Sequence, residues 1–164
     1  MLTLPPVKTQ IKTRFGESVF SKEGDIDRRA LGAKVFGPEN RQALHDLESI
    51  VHPEIRRQLG QLIESHRVAG EVQAIILDAA VMLEAGWDPL TSTIVFLDVP
   101  YEQRLERIQS RGWSESELKS RESSQLPLDE KRNRAHEVID NSGDLEEAAR
   151  QLERIIDKLI HAGE

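Results

Sequence analysis

Apolar positions in the first seventy residues recur at helical spacing. Val7, Ile11 and Phe15 stand at i, i+4 and i+8, one stripe that Pro6 opens and Gly16 closes. Lys22-Glu23-Gly24-Asp25 reads as a turn, and Asp27 is placed to cap a short helix, Arg28–Phe36, which Gly37-Pro38 ends. From Pro38 a longer helix carries Leu44, Leu47, Ile50 and Val51 on one side. Pro53 is expected to kink or restart it, with Ile55, Leu59, Leu62 and Ile63 continuing the pattern to Gly70.

The spacing then changes. Val72–Asp78 is a mostly apolar run that reads as a candidate buried strand, and Ala85–Pro89 as a loop. Thr93–Leu97 is a second such run, β-branched and expected to be buried on both faces. Asp98-Val99-Pro100 ends it, and Glu102–Ile108 reads as a helix of straight-chain residues. Gly112–Arg134 is charge-dense and reads as helix–Pro127–helix with little apolar surface, either a mobile lid or a solvated hairpin. Val138-Ile139-Asp140 is a short third strand. Asp144 with Glu147 resembles a capping box opening an amphipathic helix with Leu145, Leu152, Ile155, Ile156 and Leu159, closed by Gly163. Strands alternating with helices predict an α/β fold with a parallel sheet, although three strands are few for a doubly wound one.

Composition narrows the function classes. A chain of 164 residues is long enough for one domain with a real core. Its 29 acidic against 22 basic residues give a net charge of −7, which argues against bulk binding of nucleic acid or an anionic membrane. It contains no cysteine, so disulfides, thiolate metal sites and a cysteine nucleophile are excluded. The longest apolar stretch, Ala74–Leu83, is interrupted by Asp78 and too short to span a bilayer, and the start has no signal-peptide pattern. A cytoplasmic location is expected.

Candidate chemistry centres on arginines. Arg104, Arg107 and Arg111 are spaced i, i+3 and i+7, so at ~100° per residue they share one helical face just beyond the carboxyl end of a buried strand, where open α/β sheets bind ligands. The same spacing fits a solvated face with Glu102 and Glu106 as partners. Arg121, Lys131, Arg132 and Arg134 add charge in the lid-like segment, which suits closure over phosphates and equally suits a soluble surface. Asp78 ends a predicted strand and Glu84 lies in the loop after it. His52 stands out among scattered histidines because Pro53 should force it out of the helical region. No zinc spacing, Gly-x-Ser-x-Gly elbow or dinucleotide glycine fingerprint occurs.

Taken together the motifs resemble those of the dephospho-coenzyme A kinases, over Leu2 to about Ile160. They include Phe15-Gly16, Gly24-Asp25-Ile26-Asp27-Arg28, Val35-Phe36, His52-Pro53-Glu54-Ile55-Arg56 and Leu83-Glu84-Ala85-Gly86. Further on come Leu105-Glu106-Arg107, Ser124-Gln125-Leu126-Pro127-Leu128 with Lys131, and Val138-Ile139-Asp140-Asn141. The order and spacing of the set are what is specific. The resemblance implies a P-loop kinase-like three-layer α/β fold with a parallel sheet, a helical substrate-binding region over 3–71 and a lid over 112–135, all one domain. It implies Arg107 and Arg111 as catalytic residues, Arg121 and Gln125 as lid and ATP-binding residues, and His52, Asp78 and Glu84 around the dephospho-coenzyme A pocket. The reaction implied is phosphorylation of the ribose 3′-hydroxyl by ATP with Mg²⁺.

That family also carries a strand, a Gly-x-x-x-x-Gly-Lys-Ser/Thr loop, a helix and an Asp-Ala-Asp motif. None of them occurs in these residues. The expectation is therefore a kinase fold missing its first two strands at the N-terminus, unable to transfer phosphate as given, because the amides, lysine and hydroxyl that hold phosphates and Mg²⁺ are lacking. Such a sheet would leave apolar edges open to self-association. The alternative reading is a non-catalytic coenzyme-binding or interaction module.

Overall fold

The computed structural model describes residues 2–161. The chain divides into two compact units, Met1–Val68 and Ala69–Glu164.

The first unit is helical. α1, Pro5–Phe15, starts on two prolines, whose missing N–H groups cost nothing in a first turn, and buries Val7, Ile11 and Phe15. A tight turn through Gly24 brings Phe20 back against Ile26. α2, Arg28–Val35, is capped by Asp27, whose carboxylate accepts from the Arg29 and Ala30 N–H groups at 2.9 and 3.0 Å. α2 adds Leu31 and Val35 to the core formed by α1 and Val19. α3, Arg41–Ala69, covers it with Leu44, Leu47, Ile50 and Val51.

Two sequence expectations are corrected here. α3 does not restart at Pro53, and His52 is not expelled from the helix but lies inside it. Pro53 removes a single backbone donor, and the helical turns on either side outweigh that loss and the steric bias on the preceding residue.

The second unit holds the sheet. β1, Val95–Asp98, pairs in parallel with β2, Glu137–Asp140, in the register Val95↔Glu137 to Asp98↔Asp140. Between them run α4, Tyr101–Gln109, and the lid helices α5, Glu115–Ser123, and α6, Leu128–Arg134. His136 secures the start of β1, its Nδ1 accepting from the Ile94 N–H at 2.9 Å. α7, Leu145–His161, opens with the Asp144 carboxylate accepting from the Glu147 N–H at 2.7 Å and packs Ala148, Leu152 and Ile155 on Ile139 and Val95. The Gln151 side-chain amide then bonds both the N–H and the carbonyl of Asp140, each at 3.0 Å, which covers the outer edge of β2. The closure expected at Gly163 lies outside the described residues.

The expected strand over Val72–Asp78 is not formed. These residues form no regular element and have no ladder partner among the described residues, and Val72, Ile75 and Ile76 are exposed. Nor is Thr93–Leu97 buried on both faces, since Leu97 keeps 56% of its surface in solvent. Apolar, β-branched composition is not enough, because a strand is completed only by a neighbour that takes its N–H and C=O groups. On α7, Leu145 and Leu159 also fall outside the buried stripe.

Candidate functional site

The carboxyl ends of β1 and β2 are organised by α4. Gln103 Nε2 donates to the Ser142 carbonyl at 2.8 Å, and Arg107 Nη2 donates to the Asn141 carbonyl at 2.9 Å. The Asn141 N–H itself bonds the Asp98 carbonyl at 2.9 Å. Arg107 is thus docked by one nitrogen on the loop after β2 while its side chain remains exposed. A helix side chain held beside strand ends in this way offers charge to a ligand lying outside the sheet.

The arginine stripe of the sequence reading does not survive intact. Gly112 takes a φ of 79°, its N–H bonds the Gln109 carbonyl, and the Trp113 N–H bonds the Ile108 carbonyl. This closure needs a left-handed residue, which glycine supplies, and it stops α4. Arg111 therefore falls at the cap, exposed and with no side-chain partner among the described residues. Arg104 turns away to the lid, where it pairs with Glu122 and lies over the Tyr101 ring, 5.5 Å from its centroid. Arg121, on α5, stacks over the Trp113 ring at 4.0 Å.

Glu84 and Gln125 are brought together by a residue that the site prediction omitted. Lys131 Nζ reaches Glu84 Oε1 at 2.7 Å, Gln125 Oε1 at 2.8 Å and the Ala80 carbonyl at 2.7 Å. Glu84 Oε1 also accepts from the Leu126 N–H at 2.9 Å. Burial pushes the Glu84 carboxyl up, but the Lys131 ammonium and the Leu126 N–H outweigh it and hold the group below its ordinary value. The loop is itself closed at Gly86, φ 65°, with the Trp87 N–H on the Met82 carbonyl and the Trp87 ring buried. Asp78 is exposed in the 72–78 segment and makes no hydrogen bond or ion pair with this cluster, and His52 belongs to the first unit.

The charge distribution separates two kinds of space. A cavity of about 260 Å³ at the α5–α6 turn is lined by Glu122, Asp129, Gln125 and Leu126. Its two carboxylates make it unsuited to phosphate. Arg107, Arg111 and Arg121 are exposed and still have guanidinium donors to offer. Among the described residues no group of three or more His, Asp or Glu could hold a metal ion by itself, and Mg²⁺, which takes one or two carboxylates together with substrate phosphates, does not need such a group. No described helix is long and apolar enough to cross a membrane.

A parallel strand pair with a helix-borne arginine at its carboxyl end and a charged helical hairpin beside it defines an α/β protein of the P-loop kinase-like class. In a crystal structure from Thermus thermophilus, a protein 34% identical aligns with a TM-score of 0.70 over 93% of this chain and 76% of that one. The dephospho-CoA kinase from Campylobacter jejuni, at 24% identity and a TM-score of 0.63, covers 96% of this chain and 77% of its own and speaks to the fold alone. The chain belongs to the dephospho-CoA kinase family, whose sequence model matches residues 5–147. It is 39% identical to the dephospho-CoA kinase of Bacillus licheniformis, over 93% of this chain and 75% of that protein. With the enzyme of Carboxydothermus hydrogenoformans it shares 36% identity, over 93% and 73%.

Proposed function

We propose that these residues form the substrate-binding helices, phosphoryl-stabilising arginines and lid of a dephospho-CoA kinase. The reaction is attack of the ribose 3′-hydroxyl oxygen on the γ-phosphorus of ATP, with ADP leaving and the hydroxyl proton passing to a base. The observation that supports this most is the family match over residues 5–147 together with Arg107 docked at the strand ends. Arg107 would stabilise charge on the transferring phosphoryl group, with Arg111 beside it and Arg121 arriving from the lid. His52 and Asp78 would contact dephospho-CoA, with Glu84 and Gln125 framing the pocket and the lid. Mg²⁺ is expected with ATP, and the reading puts it on the nucleotide's phosphates, since the described residues offer it no cage. A cytoplasmic location goes with this reading.

The 164 residues contain neither a Gly-x-x-x-x-Gly-Lys-Ser/Thr sequence nor Asp-Ala-Asp. We therefore expect them, on their own, to bind dephospho-CoA without transferring phosphate, and to self-associate through the exposed Val72–Ile76 segment and the open edge of β1. The test is a coupled ATP-consumption assay with dephospho-CoA and Mg²⁺, run beside calorimetric titration of dephospho-CoA. Binding without turnover, with turnover appearing when a P-loop segment is supplied ahead of Leu2, supports the kinase reading. Binding without turnover in both forms favours a non-catalytic coenzyme-binding module. Turnover by the 164 residues alone would refute the requirement for a P-loop.

A further inference from the structure

Lys131 is saturated. An ammonium group has three protons to donate, and Nζ has three acceptors within 2.8 Å: Glu84 Oε1, Gln125 Oε1 and the Ala80 carbonyl. Its side chain is 12% exposed and that of Glu84 19%. Nothing on this lysine remains to meet a ligand, unlike the open guanidinium of Arg111. The acceptors come from two separate segments, two from the closed 79–86 loop and one from the α5–α6 turn, and Leu126 in that turn adds its N–H to the same Glu84 oxygen.

We propose that the Glu84–Lys131 pair is the fixed pivot of the lid hairpin, and that Glu84 and Lys131 are positioning residues rather than ligand contacts. The two other ion pairs that tie the hairpin down are more open: Arg104–Glu122 at 24% and 32% exposure, and Arg132–Asp98 at 48% and 45%. α5 and α6 can leave these contacts while the turn between them stays pinned. The pivot also sets one polar group for a ligand. Because an ammonium can meet only the oxygen of an amide, Lys131 fixes which way round the Gln125 side chain sits and leaves its Nε2 protons as what Gln125 can offer. The pivot stands on contacts within the second unit and does not require that the chain transfer phosphate.

The test is brief acylation of surface amines on the 164-residue protein, with labelled lysines quantified by peptide mass spectrometry and amide exchange followed in parallel. In the wild type Lys131 should label about tenfold more slowly than Lys119 or Lys158, whose side chains are 64% and 70% exposed, because the reagent must wait for local opening. Glu84→Gln should raise Lys131 labelling several-fold and speed exchange at Leu126, with the Val95–Asp98 amides unchanged. Glu84→Asp, too short to reach both Lys131 and Leu126, should do the same more mildly. Lys131 labelling as fast as Lys119 in the wild type would overturn the proposal, whatever the variants do. So would a loss of protection in Glu84→Gln spread evenly over β1, β2 and the lid, which is the signature of a bulk structural role.

Discussion

Double-mutant cycles across the three ion pairs that tie the lid to the rest of the second unit should rank by how far protein covers them. The perturbation is truncation of each partner singly and together: Glu84 with Lys131, Arg104 with Glu122, and Arg132 with Asp98. At the 2.7 Å separation of Lys131 Nζ and Glu84 Oε1, Coulomb attraction at an effective dielectric of about 20 is roughly 6 kcal/mol. Desolvation of two mostly covered ions takes back most of that, leaving a coupling of about 2 kcal/mol, between surface pairs and fully buried ones. Arg104–Glu122 is more open and should couple by about 1 kcal/mol; Arg132–Asp98, nearly half exposed on both sides, by no more than about 0.5 kcal/mol. Arg104 also covers the Tyr101 ring and has an Nε with no partner among the described residues, so its single mutant carries extra terms that the cycle cancels. The assay is urea unfolding read by tryptophan emission. Both tryptophans of the sequence, Trp87 and Trp113, lie in the second unit, so the signal reports on that unit. A largest coupling at Arg132–Asp98, or three equal couplings, would refute the reasoning that coverage sets the strength of these pairs.

Four further outcomes are expected. Ile11→Ala, at a fully buried position of the first unit, should destabilise it by about 2–5 kcal/mol through lost burial and a residual cavity, read from the helical circular dichroism during denaturation. The Glu84 carboxyl is held below its ordinary value, so the unfolded chain binds more protons as pH falls through that range. Its stabilising contribution is then full above about pH 5 and lost as pH drops through the lowered folded value, and Glu84→Gln should remove that part of the acid loss. Ile76 is 67% exposed in a segment without a ladder partner, and Ile76→Lys should lower the concentration dependence of sedimentation if that segment drives self-association. In any chain containing these residues that turns over, Arg107→Ala should lower kcat by about a hundredfold or more with KM moved only slightly; an unchanged kcat would remove Arg107 from the mechanism.

Helices were legible because their signals are local. The i, i+4, i+8 stripe of α1 and the Asp27 cap are settled within a few residues, and both are found in place. The family fold and its parallel strand pair were legible too, through motif order and the runs at Thr93 and Val138. What failed were judgements that depend on neighbours. Val72–Asp78 has strand composition but lacks, among the described residues, a strand to lie against. His52 was judged from Pro53 alone, whereas the surrounding helix decided its conformation. One miss had a readable signal: Gly112 directly after Arg111 marks a left-handed closure, and it separates Arg111 from a helical stripe that spacing alone had extended.

The site shows the same division more sharply. Glu84 and Gln125 were both singled out, but as separate contacts to different ligands, since nothing in a linear reading joins position 84 to 125 and 131. The structure joins them through Lys131, which was read as one of several lid cations and as part of the motif with Gln125. Charge pattern finds cations without saying which are already spent, and that depends on acceptors far along the chain. Lys131 has its three acceptors and Arg104 its carboxylate, while Arg111 and Arg121 present open guanidinium groups and Arg107 commits one nitrogen to a carbonyl. A dianionic phosphoryl group draws on cations that still have donors to give. The count of basic residues in this segment therefore overstates the charge it has to offer, and on the proposed kinase reading the electrostatic work would fall to Arg107, Arg111 and Arg121, with Lys131 and Arg104 holding the frame.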